Sequence, residues 1–190
     1  MLNLQDREWK TFYISNERDD GIFTLRASLS GIDKNKLADA DDKRIPYITR
    51  SDFNNGVSLF VGKEQRAKYK MDRGNVITIG LDTQTVFYQP HSFYTGQNIQ
   101  ILFNEHINRY TATFIIPLLK KQVSKLSWGG NGATLGRLKR MQLLLPINEK
   151  NLPDYDFMEQ YIKERESCLI EKYKDYIIKN IQSSGGGNYH

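Results

Sequence analysis

Apolar positions along this chain change their period twice. From Gly21 to Phe103 they come in short runs rich in β-branched and aromatic residues: GIFTLRA (Gly21 to Ala27), IPYIT (Ile45 to Thr49), VSLFV (Val57 to Val61), NVITIG (Asn75 to Gly80), TVFYQ (Thr85 to Gln89) and NIQILF (Asn98 to Phe103). Gly, Asn, Asp or Pro bounds each run, so each is predicted to be a strand. Asn55-Gly56 tolerates the positive φ angles of a two-residue type I′ turn and predicts a hairpin between IPYIT and VSLFV. Strands this evenly spaced, with no helices between them, argue for a barrel or sandwich of mostly antiparallel pairing.

In NRYTATFIIPLLKKQVSKL the period becomes helical, with Tyr110, Phe114, Leu118 and Leu119 on one face and Asn108 as cap. Pro117 predicts a kink or an early break there. MQLLLPI then reads as a buried strand. From Pro153 one long helical pattern follows, with Asp154 and Asp156 at its start where the helix dipole favours anions. Ile162, Leu169, Tyr173, Tyr176 and Asn180 fall on the alternating seam of a coiled coil, which Glu166 interrupts. Such a helix, of about 27 residues within 153–182, reaches roughly 40 Å at about 1.5 Å per residue and is expected to project beyond a small domain. Residues 183–190, SSGGGNYH, read as a flexible tail.

Composition narrows the class. The 190 residues are 39% hydrophobic, enough for an ordered globular chain, and the longest apolar run, FIIPLL, is far short of a membrane span. MLNLQDREWK lacks the apolar region of a signal peptide, so the cytoplasm is the expected compartment. A single cysteine, Cys168, and the scattered His91, His106 and His190 argue against a disulfide framework or a zinc site. The net charge is +5, but between His106 and Asn148 there is no Asp or Glu, while Arg109, Lys120, Lys121, Lys125, Arg137, Lys139 and Arg140 lie there. That segregation predicts a basic face, and a basic face most often meets a polyanion.

No catalytic motif survives scrutiny, and no cofactor or metal is expected. Gly130, Gly132 and Gly136 read G-x-G-x-x-x-G, one residue longer than the dinucleotide fingerprint, and they lead into a strand instead of a helix. NLPDY (Asn151 to Tyr155) imitates an amino-methyltransferase pocket but has Asp154 in place of the inner proline, and no cofactor loop precedes it. Pro153-Asp154 lacks the carboxylate and lysine partners of a metal-dependent nuclease. G-x-S-x-G is absent.

Basic segments with interleaved aromatics and amides are more informative. VGKEQRAKYKMDRG carries Lys63, Arg66, Lys68, Lys70 and Arg73 around Gln65 and Tyr69. Lysine and arginine supply the counterion-release part of DNA affinity, and Arg, Asn and Gln read base edges. An ordinary solvated loop has the same composition. TRSDFNNG offers Arg50, Ser51, Asn54 and Asn55 as further readers, although a turn that prefers asparagine also accounts for Asn55.

The order of segments is more specific than any one of them. EWKTFYI, RIPYITRSDFNNGVSLFV, GNVITIGLDTQTVFYQPHSFYTGQNIQIL, GATLGRLKRMQLLLPI and LPDYDFMEQYIK together resemble a target recognition domain from the specificity subunit of type I restriction–modification systems. The likeness runs from about Glu8 to about Lys163, and LPI…PDYDFMEQYIK is its most specific part. It implies an α+β fold: a strongly curved, mostly antiparallel, barrel-like sheet with few helices, then a long coiled-coil-type helix. It also implies a recognition domain at 1–152 and a conserved spacer and dimerisation helix at 153–182.

The implied partners are double-stranded DNA, a methyltransferase subunit, a restriction subunit, and a second recognition unit or second copy joined through the helix. No catalysis and no membrane are implied. Subunits of this family hold two recognition units and this chain holds one. It therefore reads as a half-subunit, as half of a longer chain, or as the recognition region of a fused restriction-methyltransferase; a helix-mediated structural adaptor is the alternative of another class. Candidate DNA-binding residues are Arg50, Asn54, Lys63, Gln65, Arg66, Lys68, Lys70, Lys120, Lys121, Lys125, Arg137 and Lys139, with Arg140 beside them; candidate assembly residues are Ile162, Leu169, Tyr173, Tyr176 and Ile177.

Overall fold

The computed structural model describes residues 1–126 and 134–184. Gly130 and Gly132 of the glycine-rich segment lie outside the described residues, as do residues 185–190 of the tail.

Strands β1 (Trp9–Ser15), β2 (Gly21–Ala27), β3 (Ile45–Ile48), β4 (Val57–Val61), β5 (Val76–Gly80), β6 (Val86–Gln89), β7 (Tyr94–Thr95), β8 (Ile99–Phe103) and β9 (Gln142–Pro146) form two sheets. The larger runs β6-β5-β8-β2-β1-β9 and the smaller β4-β3-β7. Pairing is antiparallel except for β1 with β2 and β3 with β7. Helix α1 (Arg109–Val123) touches both β6 and β9, the two outermost strands of the large sheet, so that sheet curls around it. The main core gathers in that curl, from Phe12, Phe23, Ile77, Ile79, Leu102, Ile115 and Leu119 to Leu143 and Leu145, all buried. α2 (Leu135–Leu138) is a single turn, and α3 (Tyr155–Ser184) is the long terminal helix. None of the helices is long and apolar enough to cross a membrane, among the described residues.

The α+β class, the curved, mostly antiparallel sheet and the long helix are as the sequence implies. Three details differ. The hairpin of β3 and β4 exists, but its connection is longer than two residues: Asn54, Asn55 and Gly56 all take positive φ (49°, 56° and 79°) and the Gly56 N–H donates to the Phe53 carbonyl, 2.9 Å. The turn therefore centres on Asn54-Asn55, one residue early. Pro117 causes no early break, and α1 continues to Val123. Both Pro117 and Thr113, whose carbonyl loses its amide partner, are exposed, so the unpaired carbonyl lies on the solvent side of the helix, where its loss costs least. Finally, α3 starts at Tyr155 and includes residues 183 and 184 that the pattern assigns to the tail.

Asn108 caps α1 as expected, its Oδ1 accepting from the Tyr110 and Thr111 amides (2.8 and 3.1 Å). Its Nδ2 also donates to Glu159 on α3, 2.6 Å, so one residue both starts α1 and ties it to α3. Asp154 does the same for α3, accepting from the Phe157 amide at 3.0 Å while Arg7 pairs with it at 2.8 Å.

Candidate nucleic-acid interface

The residues singled out for DNA binding fall into three groups. The first is the connection between β3 and β4. Asn55 Nδ2 donates to the Tyr88 carbonyl, 2.7 Å, and Gln89 Nε2 returns a bond to the Asn55 carbonyl, 3.0 Å, stapling the turn to edge strand β6. Gly56 is buried beneath it; a Cβ there would fall 3.3 Å from the Ile48 Cγ2 and the Thr49 carbonyl oxygen, in a left-handed conformation that side chains rarely adopt. The staple accounts for Asn55 as a turn residue and leaves Asn54 and Phe53 facing water, Phe53 at 74% exposure. Arg50 pairs with Asp82. Lys120, near the end of α1, holds its ammonium 5.3 Å from the ring of Phe87 on β6 and so joins this group.

The second group is the loop between β4 and β5. Asp72 anchors it: fully buried, it accepts from Arg26 at 2.7 Å and from the Leu29 amide at 3.0 Å, and its backbone pairs both ways with Phe93. Burial pushes its carboxyl pKa up, against the opposing pull of Arg26 and Leu29. Gln65 is spent inside the loop, accepting from the Ala38 amide (2.9 Å) and donating to the Gly62 carbonyl (3.2 Å). Lys63, Arg66, Lys68 and Lys70 are all exposed, and none has a carboxylate partner among the described residues. The two loops lie at opposite ends of β4, about 17 Å apart at roughly 3.4 Å per residue.

Lys121 is exposed beside Lys120, and Lys125 donates to Gln122 at 3.0 Å. These cations also offset the negative end of the α1 dipole, their ordinary structural use. The third group, Arg137 and Lys139, lies apart, just ahead of β9 at the other edge of the large sheet from β6. Lys139 is neutralised there by Glu17, 2.7 Å from both carboxylate oxygens.

A cleft of about 620 Å³ opens where α3 begins, lined among others by Asp20, Asn104, Glu105, His106, Tyr155 and Asp156. His106 stacks on Tyr155 at 4.5 Å, and Asn104 Nδ2 donates to the Tyr155 hydroxyl at 3.0 Å. Burial pushes the pKa of that hydroxyl up to about 12. The cleft is acidic and holds none of the DNA candidates. Among the described residues no His, Cys, Asp and Glu group is placed to hold a metal ion.

The assembly candidates divide along α3. Ile162 is half-buried against the core. Leu169, Tyr173, Tyr176 and Ile177 are 66%, 65%, 63% and 38% exposed, and Ile170 and Ile181 widen the same stripe. Asp72, Asp82 and Phe53 were missed by sequence reasoning. Only Phe53 left a signal, as an aromatic residue inside a turn segment.

A family model for the type I restriction modification DNA specificity domain matches residues 18–175. The specificity subunit S.BcgI of the type II restriction enzyme BgcI from Heyndrickxia coagulans is 32% identical over 175 residues, which cover 90% of this chain and 47% of that protein. Among solved structures, the type I restriction-modification S subunit from M. genitalium is similar at a TM-score of 0.58 and 12% identity, over 95% of this chain and 45% of the other. The HsdS subunit from Thermoanaerobacter tengcongensis is similar at 0.54 and 11%, over 86% and 38%. The chain thus spans less than half the length of each of these relatives.

Proposed function

From the premise that this chain belongs to the type I restriction modification DNA specificity domain family, we propose that it is a non-catalytic recognition subunit for duplex DNA. It reads one half of a split target in the cytoplasm and directs an adenine methyltransferase subunit, and a restriction subunit where one joins, to that site. Residues 1–152 do the reading. The helix beyond them is the spacer, packing against the matching helix of a second recognition unit or a second copy of this chain.

One observation carries the reading. Lys63, Arg66, Lys68 and Lys70 stand exposed and without a carboxylate on a loop whose base is pinned by buried Asp72. Unpaired cations on an anchored support can bind phosphates without first breaking an ion pair. Lys120 and Lys121, exposed near the end of α1, are further candidates for phosphate contact, whereas Lys139 must first leave Glu17.

The test is DNA affinity as a function of salt, with methylation mapped in host cells with and without the gene. Each of Lys63, Arg66, Lys68 or Lys70 changed to Ala is expected to reduce the salt slope by about one unit on any duplex. Lys139→Ala is expected to change it less. A wild-type chain whose DNA affinity is insensitive to salt, or whose gene leaves the methylation pattern unaltered, overturns the proposal.

A further inference from the structure

Three segments far apart in sequence converge on one exposed guanidinium. Arg50 follows β3, Asp82 sits in the β5–β6 turn and Asn98 directly precedes β8. Arg50 Nη1 pairs with Asp82 Oδ2. Asn98 Nδ2 reaches the same Asp82 oxygen at 3.4 Å, and the Asn98 carbonyl accepts from the Leu81 amide at 3.0 Å. Gly80 supports the Arg50 stem: a Cβ there would lie 2.6 and 2.9 Å from the Thr85 and Thr83 hydroxyls and 3.4 Å from the Arg50 Cγ. The turn is closed by Gly80 N–H to the Thr85 carbonyl and by Gln84 N–H to the Gly80 carbonyl, each 2.9 Å. The side chains of Arg50 and Asp82 stay 41% and 53% exposed.

An exposed ion pair of this kind contributes little to folding, so stability is a poor reason to build a three-segment support under it. Orientation is a better one. A guanidinium carries five N–H donors in a planar fork. Asp82 Oδ2 pairs with Nη1 of that fork, and no other hydrogen bond from the Arg50 donors is found among the described residues. The remaining donors of that planar fork can form a side-by-side pair of N–H groups, the complement of two acceptors side by side on one base edge. In the DNA major groove only guanine presents that pair, N7 and O6.

We propose that Arg50 reads a guanine of the target half-site and that Asp82, held by Asn98, is its positioning residue. The inference rests on the DNA-recognition reading above. Arg50→Lys keeps the charge but loses the fork, and Asp82→Asn keeps the shape but loses the charge that aims it.

The experiment maps methylation in host cells carrying the wild-type gene, Arg50→Lys or Asp82→Asn. It then measures binding of the full chain to a duplex with the recovered motif, and to the same duplex with 7-deazaguanine at the guanine whose requirement changes. The expected result is that both variants relax one guanine position of the half-site and no other, with unchanged melting temperature. The 7-deazaguanine duplex should bind wild type about 5- to 100-fold more weakly, the range of one bidentate contact at most, and should make no difference to Arg50→Ala. A half-site without guanine overturns the inference, as does a 7-deazaguanine penalty that persists in Arg50→Ala. If the wild-type gene adds no methylated motif, the recognition reading itself falls and takes this inference with it. A motif that appears but ignores Arg50 removes only the inference.

Discussion

The two halves of α3 carry similar side chains into opposite surroundings. In the first half Phe157 and Met158 are buried, Tyr161 packs edge-on against Phe114 of α1 at 5.7 Å, and Ile162 lies on the core. Past Glu166, Leu169, Ile170, Tyr173, Tyr176, Ile178 and Ile181 are all at least 49% exposed. The apolar seam resumes past Glu166; the cover does not. An apolar stripe states which face of a helix wants to leave water, and only the rest of the fold decides whether this chain supplies the cover.

The sharpest way to break that comparison is to truncate one residue in each half. Met158→Ala removes a fully buried side chain from the curl around α1 and is expected to cost about 2 to 5 kcal/mol. Leu169→Ala removes a side chain that touches little within the chain and is expected to stay within about 0.5 kcal/mol when no partner is present. Denaturant unfolding at low protein concentration measures both. Equal costs would mean that the second half is covered in solution even in the dilute chain.

A different pair of measurements sharpens the same contrast. Burying the distal stripe against another helix gains roughly 25 cal/mol for each Å² of apolar surface. Leu169→Asp with Tyr176→Asp is therefore expected to lower the mass of the particle in solution while leaving its melting temperature unchanged when dilute. A fall in melting temperature with no change in mass would place this segment against its own domain and remove the proposed assembly role.

Legibility in the sequence follows the same line between local and distant causes. β2 and β4 begin and end where their β-branched runs do, and Asn108 caps α1 because a cap needs only the next three residues. β7 is two residues long and exists because Tyr47 and Ile48 pair with it, which no local pattern announces. β1 leaves no clear strand signal of its own, since WKTFYIS alternates poorly. Exposed cations were readable because exposure is the default for Lys and Arg. What holds the loops was not: Gln65 is fixed by an amide at Ala38, Asp72 by Arg26, and Arg50 by Asp82, all partners more than twenty residues away.

A further small effect is predicted within the covered half, where α3 meets α1 at Glu159. Glu159 accepts from Lys163 at 2.5 Å and from Asn108 at 2.6 Å, and these contacts, Lys163 first, hold its carboxyl below the usual range. A carboxylate whose folded pKa lies below its unfolded one contributes stability that is complete above the unfolded value and is lost as pH falls through the folded one. The α1–α3 junction is thus expected to weaken on acidification below the ordinary glutamate range, and Glu159→Gln is expected to flatten that part of the stability–pH curve. The second ion pair at the junction, Arg109 with Glu166, is well exposed on both sides, so Arg109→Ala should cost no more than about 1 kcal/mol at neutral pH. Unfolding curves for wild type, Glu159→Gln and Arg109→Ala across the acid range separate the two. If Glu159→Gln keeps the full acid sensitivity of wild type, that sensitivity arises from another group and Glu159 contributes nothing measurable to the α1–α3 junction.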